Sequence, residues 1–388
     1  SRAERMRYYF LHPRDGRLHS SYPITTPVLV TPLYAPIVWL KGEWTTDEIH
    51  RIAPIGEKLA ASLVAALSVA AMYLLLAALT THRRALVLAL AFGFATSTWT
   101  TSSQALWQHG PGVLFIVLTL VLLARRPNAT WLAGLTAGLA VDCRPSNLFF
   151  LLALMGVVAH SSSLRSAAQV ALGAAVAGVP LAAYNWMVFG DLRGGYGGVN
   201  DAFGGSLAEG LAGLLVSPSR GLLIYSPFLA TGVLGLYLAC RRAAAPRSPV
   251  YLTCAVFLAT QLVFFGWWDA WWGGWSYGPR LLTEAAAVLV VLSVPAVERL
   301  RGMWVARAAF VVLLAYSAGV QAIGAVANSR EWDATPRSVD SDPGRLWDWR
   351  DAQIPRTASS FASGEWYAGC GTVVQWLTAR CAAAPRQP

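Results

Sequence analysis

The densest chemical signal in the sequence is an aromatic, glycine-rich segment. Residues 267–280 read WWDAWWGGWSYGPR, so five tryptophans and a tyrosine surround three glycines. Glycine lets the backbone approach a ligand closely, and we expect Trp272, Trp275 and Tyr277 to line a site for a sugar ring or a lipid chain. The alternative is an aromatic belt at a membrane interface, closed by an arginine that reaches toward the headgroups.

Two charged residues follow this aromatic segment. Arg280 ends it, and Glu284 comes four residues later. Residues four apart lie on the same face of a helix, so we expect these two side chains to pair. An acidic group inside an apolar segment is costly and is a functional candidate by default. Glu284 and Asp269 are therefore candidates for a catalytic carboxylate, and a purely structural ion pair is the alternative for Glu284.

Further arginines lie beside other apolar segments. Arg220 belongs to SPSRGLLIYSP, and Arg144 belongs to the polar interruption DCRPSN. The guanidinium group binds phosphate in a bidentate manner, so Arg220, Arg280 and Arg144 are predicted to bind the phosphate of a donor. Two of these arginines also have a purely structural explanation. Arg220 can extend to the membrane interface from the start of a helix, and Asp142 can neutralise Arg144.

Other polar residues are candidates for lining the same site. His109 lies beside Trp107 at one end of an apolar run, and Tyr22 precedes a proline in the first loop. An isolated histidine at an interface is more often structural. No Cys/His spacing typical of a metal site is present. We predict no metal site and no cofactor, and leave a divalent metal open.

The composition places these residues in a membrane protein. The chain of 388 residues is 55% hydrophobic and 13% charged, with a mean hydropathy of +0.47. Soluble domains average about 25% charged residues, and a soluble fold cannot bury this much apolar surface. The net charge of +10 does not indicate a nucleic-acid partner, because the arginines lie in short loops between apolar runs. We therefore predict an all-α, polytopic transmembrane helical bundle.

The apolar runs define the predicted spans. A helix that crosses the hydrocarbon needs about 20 mostly apolar residues. Arginines cluster in alternate loops, so the positive-inside rule makes those loops cytoplasmic and places the aromatic segment outside. The predicted spans are 59–81, 85–106, 110–124, 166–188, 221–240, 249–267, 281–298 and 303–326.

Two apolar stretches are predicted to depart from simple spans. Residues 131–160 are interrupted by DCRPSN, so we expect a broken hairpin whose two short helices return to the same side. Residues 22–40 contain four prolines, and proline inside a helix costs about 3 kcal/mol. We expect broken external juxtamembrane helices there.

Three regions follow from this assignment. Residues 1–58 form an external loop with juxtamembrane helices, after a first span that is expected to lie upstream. Residues 59–326 form the transmembrane bundle, and residues 327–388 form a small external C-terminal cap. Cys370 and Cys381 lie in that tail and can form a disulfide in an oxidising compartment.

The order of motifs resembles a family. DGRLHSSYPITTPVLVTPLYAP, STWTTSSQALWQHGPGVLFIVLTLVLLAR, GLTAGLAVDCRPSNLFFLLAL, YNWMVFGDLRGGYG, GLLVSPSRGLLIYSP and WWGGWSYGPRLLTE follow one another over most of residues 8–300. Together they resemble bacterial multi-span membrane proteins related to the GT-C glycosyltransferase superfamily, which includes protein O-mannosyltransferases and the lipid A aminoarabinose transferase.

The resemblance implies a function. Such enzymes move a sugar from a polyprenyl phosphate to an acceptor on the outer face of the membrane, with a carboxylate base in the first external loop. That acid is expected upstream of Ser1. The implied location is the bacterial cytoplasmic (inner) membrane with a periplasmic tail. The implied partners are membrane lipids, the polyprenyl-phosphate sugar, an unidentified acceptor and other membrane proteins.

Two other functions remain open from the sequence. A non-catalytic membrane subunit would keep the scaffold and lack an acid near the arginine cluster. A lipid or glycan transporter would need a polar cavity open to the cytoplasm, and the short, plain cytoplasmic loops argue against it.

Overall fold

The structure is a computed structural model, and it describes residues 9–11, 16, 18–196, 202–241, 248–300, 302–327 and 330–362. A short antiparallel hairpin, β1 (Tyr9–Leu11) and β2 (Leu18–Ser20), precedes the helices. All other regular elements in the described residues are helical. The predicted all-helical architecture is thus confirmed apart from this hairpin.

The helices are numbered here in chain order. The first half of the chain contains α1 (Thr25–Lys41), α2 (Thr46–Leu79), α3 (His82–Phe94), α4 (His109–Arg125), α5 (Thr130–Cys143), α6 (Leu148–Ser161) and α7 (Leu164–Phe189). The second half contains α8 (Leu207–Val216), α9 (Leu222–Tyr225), α10 (Ala230–Arg241), α11 (Pro249–Gly266), α12 (Thr283–Leu292), α13 (Val294–Arg299), α14 (Trp304–Val326), α15 (Arg330–Ala334) and α16 (Gln353–Ala362).

Short helical turns connect several of these helices. One π-helical turn covers Thr98–Ser102. The 3₁₀ turns cover Pro145–Asn147, Gly194–Tyr196, Pro227–Leu229, Arg280–Leu282 and Pro343–Trp347.

Within the described residues, five helical segments are long and apolar enough to cross a membrane. They are Asp47–Leu79, Leu164–Phe189, Pro249–Gly266, Arg280–Arg299 and Trp304–Val326. A helix needs about 20 residues for this purpose. The long apolar helices agree with the predicted helical membrane bundle.

Two predicted spans are interrupted in the structure. The span 85–106 stops at Phe94, because Thr96 turns its hydroxyl back to the Phe92 carbonyl, at 2.6 Å, and also accepts from the Thr98 amide. Such local bonds compete with the helix. The span 221–240 contains two short turns before α10, because Pro227 cannot continue a helix.

The predicted break in residues 22–40 is wrong. Helix α1 is continuous and contains Pro32 and Pro36 in its interior. Each proline removes a single backbone bond, and the two lie four residues apart on the same face. The helix is largely exposed and apolar, with Trp39 82% and Leu40 78% exposed.

The hairpin formed by α5 and α6 enters the bundle and turns at Pro145–Asn147. Helix α5 packs closely on α7 because glycines occupy the contact. A Cβ on Gly134 would lie 2.1 Å from the Val170 carbonyl oxygen, and one on Gly173 would lie 2.2 Å from the Trp131 carbonyl oxygen. Small residues let membrane helices approach in this way.

The loops separate into two groups at opposite ends of the bundle. At one end, Thr80 donates to Glu298 at 3.1 Å, and Arg125 donates to the Leu74 carbonyl at 2.9 Å. At the other end, the segments around residues 95–108, 202–206, 217–229, 267–282 and 330–362 contact one another. We call this second end the loop face. It carries the aromatic segment and the described part of the C-terminal tail.

Candidate functional site

The centre of the candidate site is a buried carboxylate that binds two basic side chains. Glu284 is fully buried at the start of α12. Arg144 Nη1 lies 2.6 Å from Glu284 Oε2, and His109 Nδ1 lies 3.2 Å from the same carboxylate. Arg144 and His109 are 8% and 5% exposed. Three side chains from different helical segments therefore meet inside the bundle.

Local sequence explains how these groups meet. Arg144 has an extended backbone after α5, and Pro145 starts the 3₁₀ turn that reverses the chain. The tip of the hairpin therefore carries Arg144 to the beginning of α4, where His109 lies. Gly112 provides the space, because a Cβ there would lie 2.8 Å from Asn147 Nδ2 and 3.7 Å from Glu284 Oε1.

The surroundings of the ion pair are a mixture of aromatic and amide groups. Arg144 stacks on the Phe265 ring at 4.9 Å from the ring centroid. Asn147 donates to the Ala140 carbonyl at 3.0 Å, and this bond ties the hairpin tip to the end of α5. Removing both charges of the ion pair from water costs several kcal/mol per ion. Close contacts between the two charged groups and their neighbours must compensate for that cost.

The predicted pair of Arg280 with Glu284 is wrong. Arg280 belongs to a 3₁₀ turn before α12, so the helical spacing on which the prediction depended does not apply. Its guanidinium stacks on the Trp107 ring at 4.2 Å and donates to the Gly273 carbonyl. Glu284 instead takes Arg144 and His109 as partners.

Arg220 lies in a second polar centre, beneath the C-terminal segment. Its side chain is 1% exposed. It donates to Asp333 Oδ1 at 2.6 Å, to Gln353 Oε1 at 2.7 Å and to the Gly274 carbonyl at 3.3 Å. It also stacks on Trp332 at 5.2 Å. Arg220 thus joins the aromatic segment to helices α15 and α16.

Burial affects the charge of the acid in this second centre. Desolvation raises the pKa of Asp333 to about 6, and the neighbouring Arg220 opposes that rise. Gln353 accepts from the Gly278 amide at 3.0 Å and donates to the Ser276 carbonyl at 3.0 Å. One glutamine therefore fixes the end of the aromatic segment.

Both predicted phosphate-binding arginines of the loop face point into the protein. Arg220 donates to the Gly274 carbonyl and Arg280 donates to the Gly273 carbonyl, which are consecutive groups of one turn. Both glycines have positive φ, +75° and +70°, a conformation that favours glycine. The guanidinium groups therefore meet around the Gly273–Gly274 turn and do not point away from each other toward lipid.

The aromatic residues predicted to line a substrate pack against the C-terminal segment. Trp272 Nε1 donates to Asp340 at 3.0 Å, and Trp275 Nε1 donates to Ser338 at 3.3 Å. Tyr277 is buried and donates to the Val320 carbonyl of α14 at 2.9 Å. Trp275 is still 46% exposed. The described part of the tail thus covers the aromatic segment.

Two remaining candidates lie away from the buried carboxylate. Asp269 is exposed, and its amide donates to the Ala202 carbonyl at 3.0 Å. Tyr22 is 39% exposed and lies just before α1, beside Ser20, whose carbonyl accepts from Tyr184. His109, by contrast, contacts the carboxylate directly.

Several residues of these centres were not singled out from the sequence. Asp333 and Gln353 lie in the tail, where polar residues are ordinary, so composition gives no signal for them. Asn147 belongs to the DCRPSN interruption, and its amide inside an apolar hairpin was a usable signal. In the residues that the structure describes, there is no group of three or more His, Cys, Asp or Glu side chains placed to hold a metal ion. Cys370 and Cys381 lie outside the described residues.

Comparisons with known proteins identify no match for this chain. No protein-family description, no curated protein and no solved structure matches the chain.

Proposed function

We propose that the protein is a membrane glycosyltransferase that moves a sugar from a polyprenyl-phosphate donor to an acceptor at the loop face of the bundle. The observation that carries the proposal is the buried group Arg144–Glu284–His109 below the aromatic segment. Ionisable residues inside an apolar bundle are expensive and mark functional sites by default. The reaction type that we propose follows from the order of motifs, which resembles the GT-C group.

The proposal assigns a separate task to each group near the aromatic segment. Arg280, held over Trp107, contacts the phosphate of the donor, because a guanidinium group can bind two phosphate oxygens at once. Trp272 and Trp275 provide aromatic surface for the sugar. Arg220 already has protein partners on both Nη atoms, so in this proposal it holds the tail over the site.

The chemistry needs a proton acceptor and stabilisation of the leaving group. The acceptor hydroxyl loses its proton to a carboxylate or imidazole, its oxygen bonds to the anomeric carbon, and the bond from that carbon to the phosphate oxygen breaks. Polyprenyl phosphate leaves with the electron pair, and nearby arginines stabilise its charge. Glu284 and His109 are the acid–base candidates among the described residues.

The test is donor consumption by purified protein in liposomes made with native membrane lipids. A panel of polyprenyl phosphates carrying radiolabelled mannose, glucose, N-acetylglucosamine or aminoarabinose is supplied, and the release of free polyprenyl phosphate is measured. Wild-type protein should consume one of these donors. Arg280→Ala should lower the rate by at least about tenfold, since one lost charge-assisted contact is worth 1.5–3 kcal/mol. Arg280→Lys should restore part of it.

Arg350→Ala is the matched control, because Arg350 is an exposed arginine of the same face. It should leave the rate unchanged. Loss of activity in both variants would indicate a general effect of charge. Absence of turnover with every donor in native-lipid liposomes, with folding intact, would contradict the proposal.

A second function is favoured by one observation. Two of the candidate arginines are already neutralised inside the protein, Arg144 by Glu284 and Arg220 by Asp333. A non-catalytic subunit that has kept the scaffold would show such internal pairing. This alternative predicts that donor binding and turnover are absent and that the protein co-purifies with a membrane partner after mild solubilisation.

A further inference from the structure

A second carboxyl group lies inside the bundle, beside the first centre but on another face of α5. Asp142 is 6% exposed and belongs to the hairpin tip. It lines a groove of about 360 Å³ between α5, α6 and α7. Its neighbour Arg144 turns the opposite way and binds Glu284. The two charges of the DCRPSN interruption therefore do not neutralise each other.

The lining of this groove is apolar apart from the carboxyl group. Leu151, Met155 and Ala174 form its walls, and Gly138 and Gly178 leave the carboxyl accessible from the groove. A Cβ on Gly178 would lie 3.7 Å from Asp142 Oδ1. In the residues that the structure describes, Asp142 takes part in no hydrogen bond and no ion pair. Asp142 therefore presents an acceptor to whatever occupies the groove.

The groove opens toward the perimeter of the bundle. Leu148 and Leu152 at its edge are 45% and 53% exposed. Asp142 is twelve residues from the start of α5 at Thr130, which corresponds to about 18 Å along a helix that rises about 1.5 Å per residue. The hydrocarbon core is about 30 Å thick. This distance is shorter than the thickness of the hydrocarbon core, so we infer that lipid chains border the groove.

The carboxyl group of Asp142 determines which kind of molecule can occupy the groove. Ionised or protonated, a carboxyl group keeps an acceptor oxygen, and a buried acceptor without a donor is costly. A cationic amine would bring a second charge into an apolar groove, with its own desolvation cost. A neutral hydroxyl supplies the donor without that cost, and an attached hydrocarbon chain matches the leucine, methionine and alanine walls.

We propose that this groove binds a single long-chain lipid alcohol, whose hydroxyl donates a hydrogen bond to Asp142. The site is separate from the Arg144–Glu284–His109 group and does not depend on the glycosyltransferase proposal. It lies on the opposite side of the same hairpin tip, two residues from Arg144. The groove and the ion pair therefore share one hairpin tip.

The test uses two photoactivatable probes on the purified protein in phosphatidylcholine nanodiscs. One probe is a diazirine-bearing long-chain primary alcohol, and the other is its methyl ether, which has the same chain and no donor. Crosslinked peptides are identified by mass spectrometry. The alcohol should label residues 141–155 and 171–178 about fivefold more than the ether, the preference expected for one hydrogen bond.

Two variants distinguish recognition of the hydroxyl group from recognition of the hydrocarbon chain. Asp142→Leu should lower alcohol labelling to the level of the ether, because the acceptor is lost. Gly178→Leu should lower labelling by both probes, because its side chain fills the groove while Asp142 remains. Thermal unfolding checks that each variant folds.

Equal labelling of wild-type protein by alcohol and ether would overturn the proposal, and this comparison needs no variant. Labelling that spreads evenly over other lipid-facing helices, such as α14, would also overturn it. If folded Asp142→Leu still prefers the alcohol, the hydroxyl donates to another group of the protein, and Asp142 is not the acceptor.

Discussion

Arg144 and Glu284 are 140 residues apart in the chain, and their Nη1 and Oε2 atoms lie 2.6 Å apart inside the bundle. Arg280 lies four residues before Glu284, yet its guanidinium stacks on Trp107 and the carboxylate binds Arg144 instead. The contact exists because the hairpin tip and the start of α12 reach the same depth. It joins the first and second halves of the bundle at the candidate site.

Breaking this ion pair from one side should destabilise the protein strongly. Arg144→Met leaves the Glu284 carboxylate buried with His109 as its remaining basic neighbour, and Glu284→Gln leaves the Arg144 guanidinium without its carboxylate. Removing one member of a buried pair costs about 3–5 kcal/mol. Thermal unfolding in lipid nanodiscs measures the loss.

The double variant Arg144→Met with Glu284→Gln should lose less than the sum of the two single variants, because no buried charge remains unpaired. Lys41→Ala is the control, since its ion pair with Glu48 is partly exposed and exposed pairs contribute about 0–1 kcal/mol. Additive losses in the double variant would mean that the two side chains do not interact.

The close contact between α5 and α7 gives a second prediction. Gly173→Ala should destabilise the bundle by several kcal/mol, because its Cβ would lie 2.2 Å from the Trp131 carbonyl oxygen and the backbones must separate. Gly156→Ala on α6 is the matched control, because nothing lies within 4 Å of its Cβ. It should be neutral or slightly stabilising.

Unfolding temperatures of the two glycine variants decide this prediction. A small effect of Gly173→Ala, equal to that of Gly156→Ala, would mean that α5 and α7 are not in close contact. Expression level alone is not sufficient, because both variants must be compared as folded protein.

The sequence predicts the helical membrane character well, because apolar runs and charge-free stretches report directly on burial in lipid. It predicts the interruption at DCRPSN for the same reason, since Asp142, Arg144 and Asn147 are out of place in an apolar segment. It does not predict that α1 continues through Pro32 and Pro36, because each proline inside a helix carries a helix-breaking cost.

The partners inside the site were harder to predict. The helical rule for residues four apart paired Arg280 with Glu284, whereas the 3₁₀ turn at Arg280–Leu282 directs Arg280 toward Trp107. Contacts such as Arg144 with Glu284 depend on the depth at which separate helices meet. No periodicity in a single sequence reports that depth.

The buried acid of the C-terminal segment predicts a pH dependence. Burial raises the pKa of Asp333 from 3.8 to about 6. The folded protein then binds the proton more tightly than the unfolded chain, so this group's contribution to stability falls as the pH rises from about 4 to about 6. A shift of one pKa unit corresponds to about 1.36 kcal/mol, so this contribution to the free energy of unfolding falls by at most about 3 kcal/mol.

The variant Asp333→Asn lacks this titration, so the difference in unfolding free energy between wild type and variant isolates it. That difference should decrease as the pH rises through this window. Unfolding in detergent at several pH values between 4 and 7 provides the measurement. An increase with pH would mean that attraction to Arg220 exceeds the cost of burial.

The orientation in the membrane gives the last prediction. The structure groups the aromatic segment and residues 330–362 at one end of the bundle, and the basic loops near Thr80 and Arg125 at the other. The positive-inside rule places the basic end in the cytoplasm. A cysteine introduced at Gly344, in the tail, should therefore react with a membrane-impermeant maleimide on intact cells. One introduced at Ser162, between α6 and α7, should react only after permeabilisation. Both positions are exposed, so a difference in labelling reports the side of the membrane and not burial. The background carries serine in place of the native cysteines, because Cys240 is exposed. Labelling of Ser162→Cys and protection of Gly344→Cys in intact cells would show that the protein has the opposite orientation in the membrane. The proposed site would then face the cytoplasm, where an outer-leaflet polyprenyl-phosphate sugar could not reach it.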